Sequence, residues 1–393
     1  MNYILHLSIL LVVAKLLEWL FEKKDIHPII AHILTGIILG PFLLGIIYPN
    51  EELKVLSEFG LIMMMLYMGL TSNFSAIAQN KVKAIVVASL GVAFSFILGF
   101  TTVYLFGKGI SAALFVGITL GNTAIEVTSG VIMKERIKRE ISSVLMGAAF
   151  ADDIIAVYLI GILTGMIKGQ TSLLSLAILT IKIVAFILSV LIFSEFVFKK
   201  SSLIYNLVIK DLNVFFTFTI ILTFSLAVIA EGIGLNRIIG AYLAGLTISR
   251  LRERKDPLII SRIKLNELIN ELQVVLTEFF IPLFFIYVGL MFDPDTSEIN
   301  LLLIALLYAS AILGKLIGCG LGVKVFKGSW KDAVIVGIGM GGRGSLELAL
   351  LKFGLESGMI GEDLFATIVI VSMLTALSTP IFFRKTVKKL SEE

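Results

Sequence analysis

Two adjacent carboxylates, Asp152 and Asp153, stand in the run MGAAFADDIIAVYLIGI, flanked on both sides by apolar residues. A charge at mid-bilayer costs at least ~2.5 kcal/mol on insertion scales, so each one needs a partner, water or a task. Like charges within ~4 to 6 Å oppose joint ionisation, which makes such a pair a proton exchanger. Carboxylate oxygens are also what a hard cation takes as ligands. The same two side chains can therefore hold protons or a metal cation, in competition.

Lys315, in LLYASAILGKLIGCGLGV, is a second charge in apolar surroundings. Its mid-span position favours pairing with one of the aspartates over snorkelling to an interface. Two further segments, ITLGNTAIEVTSG and GIGMGGRGSLELAL, are polar and rich in helix-breaking residues. Irregular backbone at membrane depth is tolerated only where it lines a cavity or is buried in protein, and its free carbonyls and helix ends can act on ions. Thr123, Thr128 and Ser129 in the first segment are candidate ligands beside the aspartates. Glu126 has two readings, a third titrating ligand or a counter-charge to the basic cluster from Lys134 to Arg139. Arg343 and Glu347, four apart, pair along one helical face in a supporting role.

These residues need a membrane scaffold. The 393 residues are 58% hydrophobic and 16% charged, against about 25% charged in soluble domains. Apolar stretches of 18 or more residues, each long enough to cross ~30 Å of hydrocarbon, recur throughout. Thirteen spans are expected, near 3–20, 28–47, 56–75, 82–106, 110–133, 140–166, 171–198, 211–233, 236–250, 272–292, 299–325, 331–353 and 362–383. Threading them with the N-terminus outside puts 24 Lys and Arg on inward segments and 5 on outward ones, which fits the positive-inside rule and a cytoplasmic C-terminus. The first span, interrupted by Lys15 and Glu18 with no basic stretch before it, is expected to stay in the mature protein. No loop has room for a soluble domain. The segment from Arg250 to Glu271 alternates charged and apolar residues and reads as an amphipathic helix on the inner face. One cysteine, Cys319, and three histidines, His6, His27 and His32, offer no metal cluster, so no cofactor and no metal catalysis are expected.

An internal repeat is visible. Tyr67-Met68-Gly69-Leu70 closes the third span and Tyr287-Val288-Gly289-Leu290 the tenth. Thr35-Gly36 through Gly40 in the second matches Gly240-Ala241 through Gly245 in the ninth. The matched spans enter from opposite sides, the pattern of inverted repeats in secondary transporters.

Taken together the residues resemble the bacterial and archaeal sodium/proton antiporters of the monovalent cation:proton antiporter-2 family, over nearly the whole chain. The resemblance rests on thirteen spans, an interrupted fifth, Asp-Asp in the sixth, a lone lysine in the eleventh and GMGGRG in an interrupted twelfth. It implies an all-α polytopic fold of inverted repeats with two discontinuous crossing helices. It also implies a single unit, 1–393, in which a dimerisation part is interleaved with a mobile core at about 56–166 and 272–383. Asp153 is the implied principal cation and proton carboxylate, and Asp152 the one that alternately pairs with Lys315. Electrogenic exchange of two protons per sodium is similarly implied. Two departures stand out: the glutamate follows arginine as Arg343-Gly344-Ser345-Leu346-Glu347 rather than as Arg-Gly-Glu, and Glu126 sits where a small or apolar residue is usual.

The expected protein is thus not an enzyme. It is a cell-membrane homodimer that exports sodium and lithium against protons by alternating access, with the lipid bilayer and the ions as its partners and no nucleic acid. The alternatives are a potassium/proton or broad monovalent cation exchanger, or a sodium-coupled organic-anion symporter of similar fold. A prenyl-diphosphate enzyme needs further acids one turn on, where Ile154, Ile155, Ala156 and Val157 stand.

Overall fold

The computed structural model describes residues 3–23, 26, 28–71, 81–124, 128, 137, 139–167, 173–195, 211–233, 237–253, 260–294 and 299–391. Most of these are helical, with no strand among them. Among them eight helices are long and apolar enough to cross a membrane, and four shorter apolar helices accompany them. The expected Glu126 and Ser129 lie outside the described residues.

The chain divides into two compact units, Met1–Asn50 with Ala76–Ile160 and Phe285–Glu393, and Glu51–Ser75 with Gly161–Phe284. The first contains α1 (Tyr3–Glu22), α2 (Pro28–Leu39), α4 (Lys81–Leu105), α5 (Ile110–Thr119) and most of α6 (Arg139–Ile167). It also holds α12 (Leu301–Val325), α13 (Trp330–Gly339), α14 (Ser345–Glu356) and α15 (Glu362–Ser391). The second contains α3 (Glu51–Thr71), α7 (Leu173–Ser194), α8 (Leu212–Gly232), α9 (Arg237–Ser249) and α10 (Ile260–Val275). Helix α11 (Ile281–Leu290) runs across the boundary between them.

Glycine seams set the packing in each unit, because lipid offers no hydrophobic drive between helices and close backbone approach must supply the contact energy. In the first unit α12 carries Gly314, Gly318 and Gly322 at four-residue spacing. Cβ atoms there would meet the backbone of α4 at Ser95, at Leu90 and Gly91, and at Val87. This brings α4 against α12 and leaves Lys315 and Cys319 with no path to lipid; both are fully buried. The motif glycines make two further seams. A Cβ on Gly289 would strike the Ile33 carbonyl and lie 2.9 Å from the Gly36 Cα, and one on Gly245 would strike the Leu66 carbonyl and lie 2.9 Å from the Gly69 Cα. Four of the six glycines in the internal repeat thus meet in pairs, Gly36 with Gly289 in the first unit and Gly69 with Gly245 in the second. Substituting Gly245 by valine forces backbone against backbone. Overpacking of this kind costs ~1 to 3 kcal/mol, so Gly245→Val is expected to lower the thermal unfolding midpoint in detergent; an unchanged midpoint would show that the seam yields.

The amphipathic segment differs from its expected form. Helix α10 does not end near Glu271 but continues through a π-helical turn, Leu276–Phe280, into α11. No glycine or proline interrupts the stretch before Pro282, whose missing N–H falls where the wide turn already disturbs the regular ladder. Leu265, Leu268, Ile269, Leu272 and Leu276 make its buried face, packed with Phe215, Ile248 and Leu251. Its charged residues include Lys264 and Glu267, which pair at 2.8 Å.

Candidate ion-coupling site

The site lies within the first unit. Helix α6 brings Asp152 and Asp153 into its middle on a small-residue stretch, and Val144, Leu145, Ala148 and Ala149 pack there with Val87, Cys319, Val336, Met340 and Phe383. Small residues at these turns let α6 sit close enough for its carboxylates to reach neighbouring helices. Asp152 is fully buried and Asp153 is 8% exposed. Adjacent residues are ~100° apart around a helix, so the two carboxylates leave α6 in different directions.

Lys315 Nζ donates to Asp152 Oδ2 at 2.6 Å, with both side chains fully buried. The lysine pairs and does not snorkel. The Thr123 hydroxyl lies 2.7 Å from the same Oδ2 and 3.1 Å from the Met340 carbonyl, and it has one proton to share between them. Gly91 shapes the lysine's berth, because a Cβ there would come within 3.5 Å of Lys315 Cδ and 3.7 Å of Nζ.

Regular helix is lost in both polar segments. Helix α5 stops at Thr119 and Leu120–Thr123 is non-helical; α13 stops at Gly339 and helix resumes at Ser345 in α14. The two interruptions touch, with the Ala124 N–H donating to the Gly342 carbonyl at 2.9 Å. Arg343 braces them. Its guanidinium donates to the carbonyls of Asn122 at 2.6 Å, Leu120 at 2.6 Å and, on α12, Ala311 at 3.1 Å. The last carbonyls of a helix have no partner of their own and carry partial negative charge. A planar cation with five donors in a fixed fork suits several of them at once, which a lysine ammonium does less well.

Arg343 Nε stands 3.8 Å from Glu347 Oε2, both fully buried, so the expected i,i+4 pairing is present as a charge contact longer than a hydrogen bond. Thr128 is fully buried as well. Asp152, Lys315, Thr123 and Arg343 therefore converge on the two interruptions. The carbonyl brace and the α12 glycine seam are what sequence reasoning missed, although Gly314, Gly318 and Gly322 were readable as a repeated small-residue spacing. Lys15 and Glu18, three apart on α1, pair at 2.8 Å within that helix, and the buried His32 of α2 joins the same carboxylate at 3.1 Å.

Removing the threonine hydroxyl tests how tightly Asp152 is held. Hydrogen bonds to charged groups contribute ~1.5 to 3 kcal/mol, so Thr123→Val is expected to change half-saturating cation concentrations about tenfold or more. An unchanged saturation curve would detach Thr123 from the site.

The eight membrane-length helices among the described residues, with no strand beside them, mark a polytopic membrane protein. Its fold is similar to that of the sodium proton antiporter MjNhaP1 from Methanocaldococcus jannaschii, with a TM-score of 0.74 at 19% identity over 99% of both chains. The family model described as sodium/hydrogen exchanger, transmembrane, matches residues 7–389, and the chain belongs to this family. It is 27% identical to a Na(+)/H(+) antiporter of Enterococcus hirae over 99% of each chain. It is 28% identical to the Na(+)/H(+)-K(+) antiporter GerN of Bacillus cereus, covering 98% of this chain and 96% of that one.

Proposed function

We propose that the protein is a secondary antiporter that moves cytoplasmic sodium, and lithium with it, outward in exchange for external protons by alternating access. The observation that carries the reading is the buried Asp152–Lys315 pair with a second carboxylate, Asp153, at the next position of the same helix. A cation entering at Asp153 competes with protons for the same oxygens. Release of Asp152 from Lys315 would add a second carboxylate to the ion's coordination and free the ammonium to give up its proton. Exchange then follows from one site that holds either load but not both. The antiporter relatives support the ion class. In this reading the protein is a homodimer in the cell membrane with its N-terminus outside and a mobile core near 56–166 and 272–383.

The potassium named in GerN favours a second reading, exchange of potassium or of monovalent cations broadly. One experiment separates them. Purified protein is reconstituted into vesicles with an acidified lumen and a pH-sensitive dye, and sodium, lithium, potassium or choline is added outside. Alkalinisation by sodium and lithium alone supports the first reading, a response to potassium as well supports the second, and silence with every cation rejects both.

A further inference from the structure

Glu347 has no task in the scheme above, yet it is costly where it stands. It is fully buried in the first turn of α14, and neither carboxylate oxygen has a hydrogen-bond partner among the described residues. Its nearest cation is Arg343, whose terminal nitrogens are committed to three backbone carbonyls and whose Nε, 3.8 Å away, makes no hydrogen bond. Buried polar groups are nearly always hydrogen-bonded, and an exception calls for a reason. A permanently ionised carboxylate would keep the full cost of desolvation with a single charge contact to offset it. A permanently protonated one would leave the buried guanidinium with Asp152 as its remaining carboxylate counter-charge. Each fixed state is poor, and alternation between them is not.

Resting on the antiport reading, we propose that Glu347 is a third proton-exchanging carboxylate of the transport cycle, protonated when the site is proton-loaded and ionised when it is cation-loaded. The charged groups that face it are Arg343 beside it and Lys315 on α12, and the Ser372 hydroxyl on α15 stands near without a hydrogen bond to it. With the site empty of cation, Glu347 holds its proton as a neutral acid. A sodium ion arriving at the aspartates adds a positive charge to a centre that already contains Lys315 and Arg343. Breaking the Glu347 O–H bond leaves the carboxylate with its electron pair and sends the proton to water. This proton leaves in addition to those given up at the aspartate pair and Lys315. The sign is that of antiport, cation in and proton out. The glutamate would thus add to the proton count without touching the cation.

The test counts protons. Sodium is added to the detergent-purified protein in weakly buffered solution with a pH dye, and protons released per sodium bound are compared between the wild type and Glu347→Gln. The expected result is a lower count in the variant, by as much as one proton per sodium, with sodium binding retained, and partial return of the count in Glu347→Asp. An equal count in wild type and Glu347→Gln overturns the proposal while leaving antiport standing, whereas no proton release by the wild type removes antiport itself. Should Glu347→Gln fail to fold, the Asp152→Asn, Asp153→Asn double variant decides by infrared spectroscopy. A protonated-carboxyl stretch from a buried acid should still titrate there, and its absence overturns the proposal.

Discussion

Asp153→Asn is expected to bring sodium-driven proton movement down to the level of protein-free vesicles, with the fold intact. The amide has nearly the shape of the carboxylate, so packing on α6 is kept, but it has neither charge for a cation nor an exchangeable carboxyl proton. Asp152 cannot stand in, because its Oδ2 is already held by Lys315 at 2.6 Å and Thr123 at 2.7 Å. Thermal unfolding in detergent should match the wild type, because the amide keeps the carboxylate's shape at this buried position and the change relieves a like-charge neighbour of Asp152. Robust sodium-driven alkalinisation in this variant would remove Asp153 from the mechanism.

Lys315→Ala should act on stability as well as transport. The substitution leaves Asp152, fully buried, with no cation in hydrogen-bond reach. Breaking a buried ion pair from one side costs ~3 to 5 kcal/mol, whereas replacing both partners is often close to neutral. The variant should therefore unfold at markedly lower temperature, and Asp152→Asn added to it should recover much of the loss. The lysine also moves charge in the proposed cycle, so the double variant, stable enough to reconstitute, should have lost the dependence of exchange on membrane voltage. A Lys315→Ala protein with wild-type stability and unchanged voltage dependence would contradict the pairing.

Charges in apolar runs were the most legible part of the site. Asp152, Asp153 and Lys315 could be singled out because a buried charge has few affordable explanations, and the structure pairs Asp152 with Lys315. The interruption in the twelfth expected span was readable from GMGGRG, and the structure breaks the helix at Met340–Gly344. The partners of Arg343 were not legible. They are backbone carbonyls of Leu120, Asn122 and Ala311, and a carbonyl is present at every residue, so no side-chain pattern marks it. The continuity of α10 into α11 was hidden for a related reason. Hydropathy changes sharply along that stretch, but helical propensity does not, and a helix ends only where something stops it. The paired glycines show the opposite case, since absence of a side chain is itself a signal when it recurs at matched positions.

The wide turn at Leu276–Phe280 has a bearing on how this chain can change length. In a regular helix each residue advances the face by ~100°, so losing one residue within α11 would rotate every later side chain and turn Gly289 off its mark. A π turn already houses one residue more than a regular turn requires, with the Ile281 N–H reaching back to the Leu276 carbonyl. Losing a residue there would tighten the turn to ordinary pitch and leave the facing on either side nearly as it was. The stretch is a slack link in an otherwise phase-locked rod, where the chain can give up one residue without losing registry downstream.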